Sequence, residues 1–182
     1  LNYIERLLHK LNQHEDASLA FSEVTIFSDH KSYLAREKAS YSFEIGTNSP
    51  LRKKIWDALN GGCLECYGLM RSKCLKDYQW HDIDYGPDHP ILLHLSLGGG
   101  FIKSKECMFY CHKPIKKKTS KERSEQNNYK KLQPFPEFRL SRVCSKTIFN
   151  SKKHKILKYF SFILTIYIYA IRKIPMMKKK II

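Results

Sequence analysis

The stretch CMFYCHKPIKKK, residues 107–118, marks the point where the chain changes its physical character. Residues 1–112 carry 13 Lys and Arg against 14 acidic residues, whereas residues 113–182 carry 20 against 3. The first part is nearly neutral and holds all eight glycines, so it is expected to fold around one core. The second part repels itself and needs an anionic partner, a membrane or no fixed structure.

Helix and strand patterns both occur in the part that is expected to fold. Leu1–Gln13 has apolar residues at helical spacing and is predicted to be an amphipathic helix. Val24–Phe27 and Ser40–Ile45 are rich in β-forming residues and are predicted strands. A cap followed by a proline predicts a second helix over Pro50–Leu59, and Ile91–Leu97 is predicted to be a buried strand or a short helix. We therefore expect an α+β fold, with one small mixed helix/strand domain at residues 1–112 followed by a basic, largely non-globular tail.

The first segment of the tail is a basic linker or arm at residues 113–158. Lysine and arginine clusters gain affinity for phosphate polyanions by releasing condensed counterions, so this arm is expected to contact nucleic acid or anionic membrane lipid. The residues predicted to make this contact are Lys116, Lys117, Lys118, Lys121 and Arg123.

Residues 159–182 combine an apolar segment with a Lys-rich end. Residues 159–171 are 13 uncharged residues. As a helix they span roughly 20 Å, against a hydrocarbon core of ~30 Å. Snorkelling of the flanking cations allows a thin-membrane anchor, and a buried or interfacial segment is the alternative. A third interpretation is non-native read-through, because 40 of the 70 residues from 113 to 182 have codons rich in A and T (Lys, Ile, Asn, Tyr, Phe and Met).

The strongest local signal is the motif CLEC at residues 63–66, followed by a second cysteine pair within residues 107–111. Zinc takes four thiolate or imidazole ligands in a tetrahedron, and two close pairs separated by a folded excursion are the usual way to supply them. The candidate ligands are Cys63, Cys66, Cys107 and Cys111, with His112 able to replace Cys111. The alternative is an apolar stripe of inert thiols, because the cysteines of residues 63–74 also fall at helical spacing with Tyr67 and Met70.

The order of these motifs resembles that of zinc-bracketed HNH nucleases. The first cysteine pair is followed by Asp88-His89-Pro90, by three glycines at residues 98–100 and by the second cysteine pair, over about 50 residues. The resemblance implies that the four cysteines hold a structural zinc and that His89 activates water against a phosphodiester. The chain departs from the family pattern in having no Asn between the glycines and the second pair.

The cysteine spacing is not that of a short extracellular scaffold, so we expect a reducing intracellular compartment, the nucleus or the cytoplasm. Because the sequence opens on Leu1, residues 1–112 are expected to be part of a longer protein. The leading hypothesis is a non-catalytic interaction or scaffold module for a protein partner. A zinc ion with four protein ligands would stabilise its fold, and the basic arm would add a second contact. The alternatives are a metal-dependent nuclease that uses His89 and a protein anchored to a membrane by residues 159–171.

Overall fold

The computed structural model describes residues 2–27, 37–38, 45–60, 63–81, 83, 86–112, 135–151, 163 and 165–170. In chain order the elements are α1 (Tyr3–Gln13), β1 (Ala17–Phe27), β2 (Glu37–Lys38), α2 (Leu51–Asn60), a 3₁₀ turn (Leu64–Tyr67), β3 (Leu69–Met70), α3 (Ser72–Leu75), α4 (Asp88–Gly98), β4 (Gly100–His112) and α5 (Pro136–Asn150). Residues 165–170 are also helical. The predicted α+β class is confirmed. The predicted strand Ser40–Ile45 lies outside the described residues except for Ile45.

The sheet is mixed, and β1 is its central strand. β4 runs parallel to β1 along its whole length, whereas β3 and β2 pair antiparallel with its first and second halves. Because β4 occupies one edge of β1, the two short strands share the other edge. The register shifts where Ser22 pairs with Ser104 and Glu23 pairs with Met108, so residues 105–107 form a bulge in β4.

Each face of the sheet carries a hydrophobic core, because alternate side chains of a strand point to opposite faces. Leu19 and Phe21 of β1 belong to the larger core, with residues of α2, α4 and α5, while Ala20 belongs to a smaller core under α1. The smaller core consists of Leu7, Leu11, Ala17 and Ala20. The helices are thus divided between the two faces of one small sheet.

Helix α1 covers the smaller core. Its start is fixed by a capping box, in which the Glu5 amide donates to Asn2 Oδ1 (3.0 Å) and the Asn2 amide donates to Glu5 Oε2 (2.8 Å). Leu7 and Leu11 are buried on one side of the helix. The amphipathic helix predicted over Leu1–Gln13 is present as α1.

Helix α4 resolves the choice left open for Ile91–Leu97, since this segment is helical and not a strand. The helix is followed directly by β4, and at this junction the backbone of Gly99 lies close to that of Asp16. A Cβ atom on Gly99 would lie 2.6 Å from the Asp16 carbonyl oxygen, so only glycine fits there. The Ser18 hydroxyl fixes the same junction by donating to the Leu95 carbonyl oxygen (2.9 Å).

Helix α5 lies in the region that the sequence analysis assigned to a basic linker or arm. Leu140, Cys144 and Ile148 are fully buried in the larger core at a spacing of four residues. The basic residues Arg142 and Lys146 are exposed on the same helix. The folded part therefore extends past residue 112, because the charge of this segment lies on the solvent face of an amphipathic helix. Residues 113–134 lie outside the described residues.

The apolar segment predicted as an alternative membrane anchor contacts this core where it is described. Ile168 is fully buried in the larger core, and the Thr165 hydroxyl donates to Ser145 Oγ at 3.0 Å. Ile163 and Ile166 are exposed. In the part of the chain that the structure describes, no helix is both long and apolar enough to cross a membrane.

Candidate functional site

The first predicted cysteine pair and Cys107 of the second pair pack on different cores. Cys63 and Cys66 pack against the larger core and Cys107 packs against the smaller core on the other face of the sheet. Cys111 lies further along β4, opposite Ile26 of β1, and the His112 side chain is outside the described residues. Within the described ranges, no group of three or more His, Cys, Asp or Glu side chains is placed to hold a metal ion. The four predicted ligands are not assembled there, and zinc binding stays a prediction.

The structure instead brings Cys63 to His89, 26 positions later in the chain. Cys63 Sγ lies 3.2 Å from His89 Nδ1 and 3.7 Å from Nε2. Nδ1 also lies 2.8 Å from the Ala58 carbonyl oxygen. A carbonyl oxygen only accepts, so Nδ1 carries the hydrogen and Nε2 has the lone pair. The result is a thiol–imidazole pair whose ring is fixed by the backbone of α2.

The backbone at Cys63 has an unusual conformation. Its φ of 56° and ψ of 15° place it in the left-handed region, directly before the 3₁₀ turn. The Cys66 amide donates to the Cys63 carbonyl oxygen at 3.2 Å and closes the turn. Left-handed conformations at non-glycine residues cost on the order of 1–3 kcal/mol and tend to occur at functional sites. The conformation at Cys63 therefore draws attention to the thiol–imidazole pair.

Gly86 forms the wall behind the imidazole. Its φ is +60°, and a Cβ atom there would lie 2.8 Å from His89 Cδ2 and 3.1 Å from Leu140 Cδ2. Gly86 is therefore required both by its backbone conformation and by the space that the ring occupies. Leu140 belongs to α5, so the residues after position 112 help to enclose the ring.

Cys66 ends the turn that begins at Cys63 and packs against the larger core. Burial raises the pKa of the Cys66 thiol far above its usual range, and the negative charge of nearby Asp88 raises it further. Partial desolvation also raises the pKa of the Asp88 carboxyl in the first turn of α4.

The structure places His89, the base implied by the resemblance to HNH nucleases, on a helix. His89 lies in the first turn of α4, and its side chain is buried with 9% exposure. From the sequence, His89 and the cysteines are predicted to have separate roles, in catalysis and in zinc binding. Their contact depends on the packing of α4 against α2, which no local sequence pattern predicts.

A second surface lies along the outer edge of β4. A groove of about 790 Å³ is lined by Gly100–Glu106, by Ile45–Thr47, by Lys10 of α1 and by His14, which follows that helix. The Phe101 amide donates outward to the Ile45 carbonyl oxygen at 2.8 Å. Because backbone groups alternate along a strand, the N–H and C=O groups of Lys103 face the same way. Between Phe101 and the bulge, no other residue that the structure describes pairs with this edge.

The predicted cluster Lys116, Lys117, Lys118, Lys121 and Arg123 lies outside the described residues. Its contact with nucleic acid or anionic lipid stays a prediction.

Comparison with known proteins gives no match to this chain among protein families, curated proteins or solved structures.

Proposed function

We propose that this protein is a non-catalytic interaction module that binds an extended segment of a protein partner along the outer edge of β4. The observation that supports this proposal is the groove of about 790 Å³ beside that edge. An extended peptide can add a strand to a sheet edge, where main-chain hydrogen bonds supply affinity and the flanking walls supply specificity.

The walls of the groove suit an extended backbone. On one side, the Thr47 hydroxyl donates to the Asp16 carboxylate at 2.6 Å, and this hydrogen bond is the main cause that lowers the pKa of Asp16. Lys103 pairs with Glu23 at 3.3 Å, so its cation is already balanced. We therefore expect recognition to depend on the backbone of the partner more than on its charge.

The test uses peptides selected from a random library against the full chain. Lys103→Pro removes the outward N–H without disturbing the pairing with β1, since proline is tolerated on an edge strand. Lys103→Ala is the matched control, because it removes the same side chain and keeps the N–H. We expect the proline variant to abolish binding of the selected peptides and the alanine variant to retain it.

Two results would contradict the proposal. One is equal peptide affinity in both variants, which would place the binding surface elsewhere. The other is slow hydrogen exchange of the Lys103 amide in the peptide-free chain, which would mean that this edge is already paired within the protein.

We propose that the basic arm adds an electrostatic contact with phosphate polyanions. Replacement of its five cationic residues by Gln is expected to weaken binding to duplex DNA. The slope of log K against log salt should fall by up to about 4.5, since each of five neutralised phosphates contributes about 0.9. Replacement of the four lysines by Arg keeps the charge and is the control. An unchanged slope in the Gln variant would refute this contact.

A further inference from the structure

We propose that Cys63 and Cys66 form a redox-active dithiol that reduces the disulfide of a small thiol, with His89 as the group that accepts and returns the proton. This inference is independent of the peptide-binding function proposed above. It rests on the turn that joins the two cysteines and on the contact between Cys63 and His89.

The turn places the two cysteines in range of each other. The hydrogen bond from the Cys66 amide to the Cys63 carbonyl oxygen spans three residues. A turn of this kind holds its end Cα atoms within about 7 Å. A disulfide needs Cα atoms about 4.4–6.8 Å apart. The turn therefore keeps the two Cα atoms close to the range that a disulfide needs.

The contact with His89 marks Cys63 as the nucleophile for thiol–disulfide exchange. Cys63 is partly exposed, and its sulfur lies against the imidazole ring that can take its proton. A thiol beside a base is the usual form of an activated sulfur nucleophile. Cys66 lies at the other end of the turn and is also partly exposed. Cys63 is thus the attacking sulfur, and Cys66 is the sulfur that resolves the mixed disulfide.

The reaction balances in two steps. In the first, the Cys63 thiol gives its proton to Nε2 of His89 and its sulfur attacks one sulfur of the small disulfide. The S–S bond breaks, a mixed disulfide forms on Cys63, and the leaving thiolate takes the proton from the ring. In the second, the Cys66 thiol loses its proton as its sulfur attacks Cys63 Sγ. The second small thiol leaves with that proton, and two electrons have passed from the dithiol to the disulfide.

The experiment follows the reaction of the reduced full chain with oxidised glutathione by mass spectrometry. Cleavage after Lys54 and Arg71 releases residues 55–71, in which Cys63 and Cys66 are the cysteines. We expect this peptide to lose two hydrogens as the disulfide forms, with release of two glutathione molecules per chain. Cys66→Ser is expected to stop the reaction at one glutathione on Cys63, and Cys63→Ser to prevent the reaction of this peptide.

Two further variants separate chemistry from packing. Cys74 also packs against the larger core, so Cys74→Ser is the matched control and should react like the unmodified chain. His89→Gln in the Cys66→Ser background is expected to slow adduct formation about 100-fold. A urea midpoint close to that of the parent would show that the slower reaction is not caused by unfolding. The Cys66→Ser variant with an unaltered His89 still tests the proposal if the His89→Gln variant fails to fold.

Two outcomes would overturn the proposal. One is an adduct on Cys107 or Cys111 that forms as fast as the adduct on Cys63. The other is an accumulating mixed disulfide on Cys63 in the unmodified chain, which would show that Cys66 does not resolve it.

Discussion

Replacement of Leu140 by Ala tests whether α5 is part of the folded unit. The Leu140 side chain is fully buried in the larger core and contacts the region of Gly86 behind the His89 ring. Loss of a fully enclosed leucine costs about 2–5 kcal/mol, because the transfer free energy is lost and a cavity remains. We expect about 3 kcal/mol in this case. An arm without structure would show no such cost.

Urea denaturation of the full chain, followed by circular dichroism, measures this difference. With an m-value of about 2 kcal/mol per molar urea, a loss of 3 kcal/mol lowers the midpoint by about 1.5 M. Arg142→Ala on the exposed side of the same helix is the matched control and should change stability by less than about 0.5 kcal/mol. If Leu140→Ala shifts the midpoint no more than Arg142→Ala, α5 does not pack as described and the reasoning is refuted.

Two further predictions concern residues near the thiol–imidazole pair and the surface. Gly86→Ala is expected to destabilise the protein by about 1–3 kcal/mol in urea denaturation and to displace the His89 ring. Gly98→Ala is the control and should have neither effect, since a Cβ on Gly98 meets nothing within 4 Å. Equal effects of the two substitutions would contradict the described packing. Burial raises the pKa of Tyr78 to about 12 from 10.0, so its contribution to stability is present below pH 10 and is lost as the pH rises through about 12. Tyr78→Phe should remove this part of the alkaline decline in the urea midpoint, and Tyr110→Phe, at an exposed position, should leave it unchanged.

The helices with a strong amphipathic pattern were predictable from the sequence. α1 follows from apolar residues at helical spacing behind a capping residue, and α2 follows from Pro50 and the leucines and isoleucine after it. Strand β1 was predicted only over Val24–Phe27, because its first half has small residues with little preference for strands. That half is a strand because it lies between β3 and β4, and pairing of this kind is not visible in a local pattern.

Helix α5 had a signal that the overall charge concealed. Leu140, Cys144 and Ile148 follow each other at intervals of four residues, the spacing of one helix face. The high density of Lys and Arg in the whole tail favoured an unstructured arm instead. On helix α5 the charged and the apolar side chains lie on different faces. The net charge averaged over the 70 residues of the tail does not show this division.

The candidate site was predictable in its residues but not in its geometry. The CLEC motif and His89 were both identified from the sequence, the first for zinc and the second for a nuclease. Spacing alone did not show that the first cysteine pair approaches His89 and packs on a different core from Cys107. This arrangement depends on the sheet, which separates the two cores.

Cross-linking with a short bifunctional thiol reagent most directly tests the central claim, that Cys63 and Cys66 form one site apart from Cys107 and Cys111. After digestion of the native chain, we predict a cross-link within residues 55–71 and none between this peptide and the one that holds Cys107 and Cys111. A cross-link between those two peptides in the monomer would contradict this account and would favour a shared zinc site.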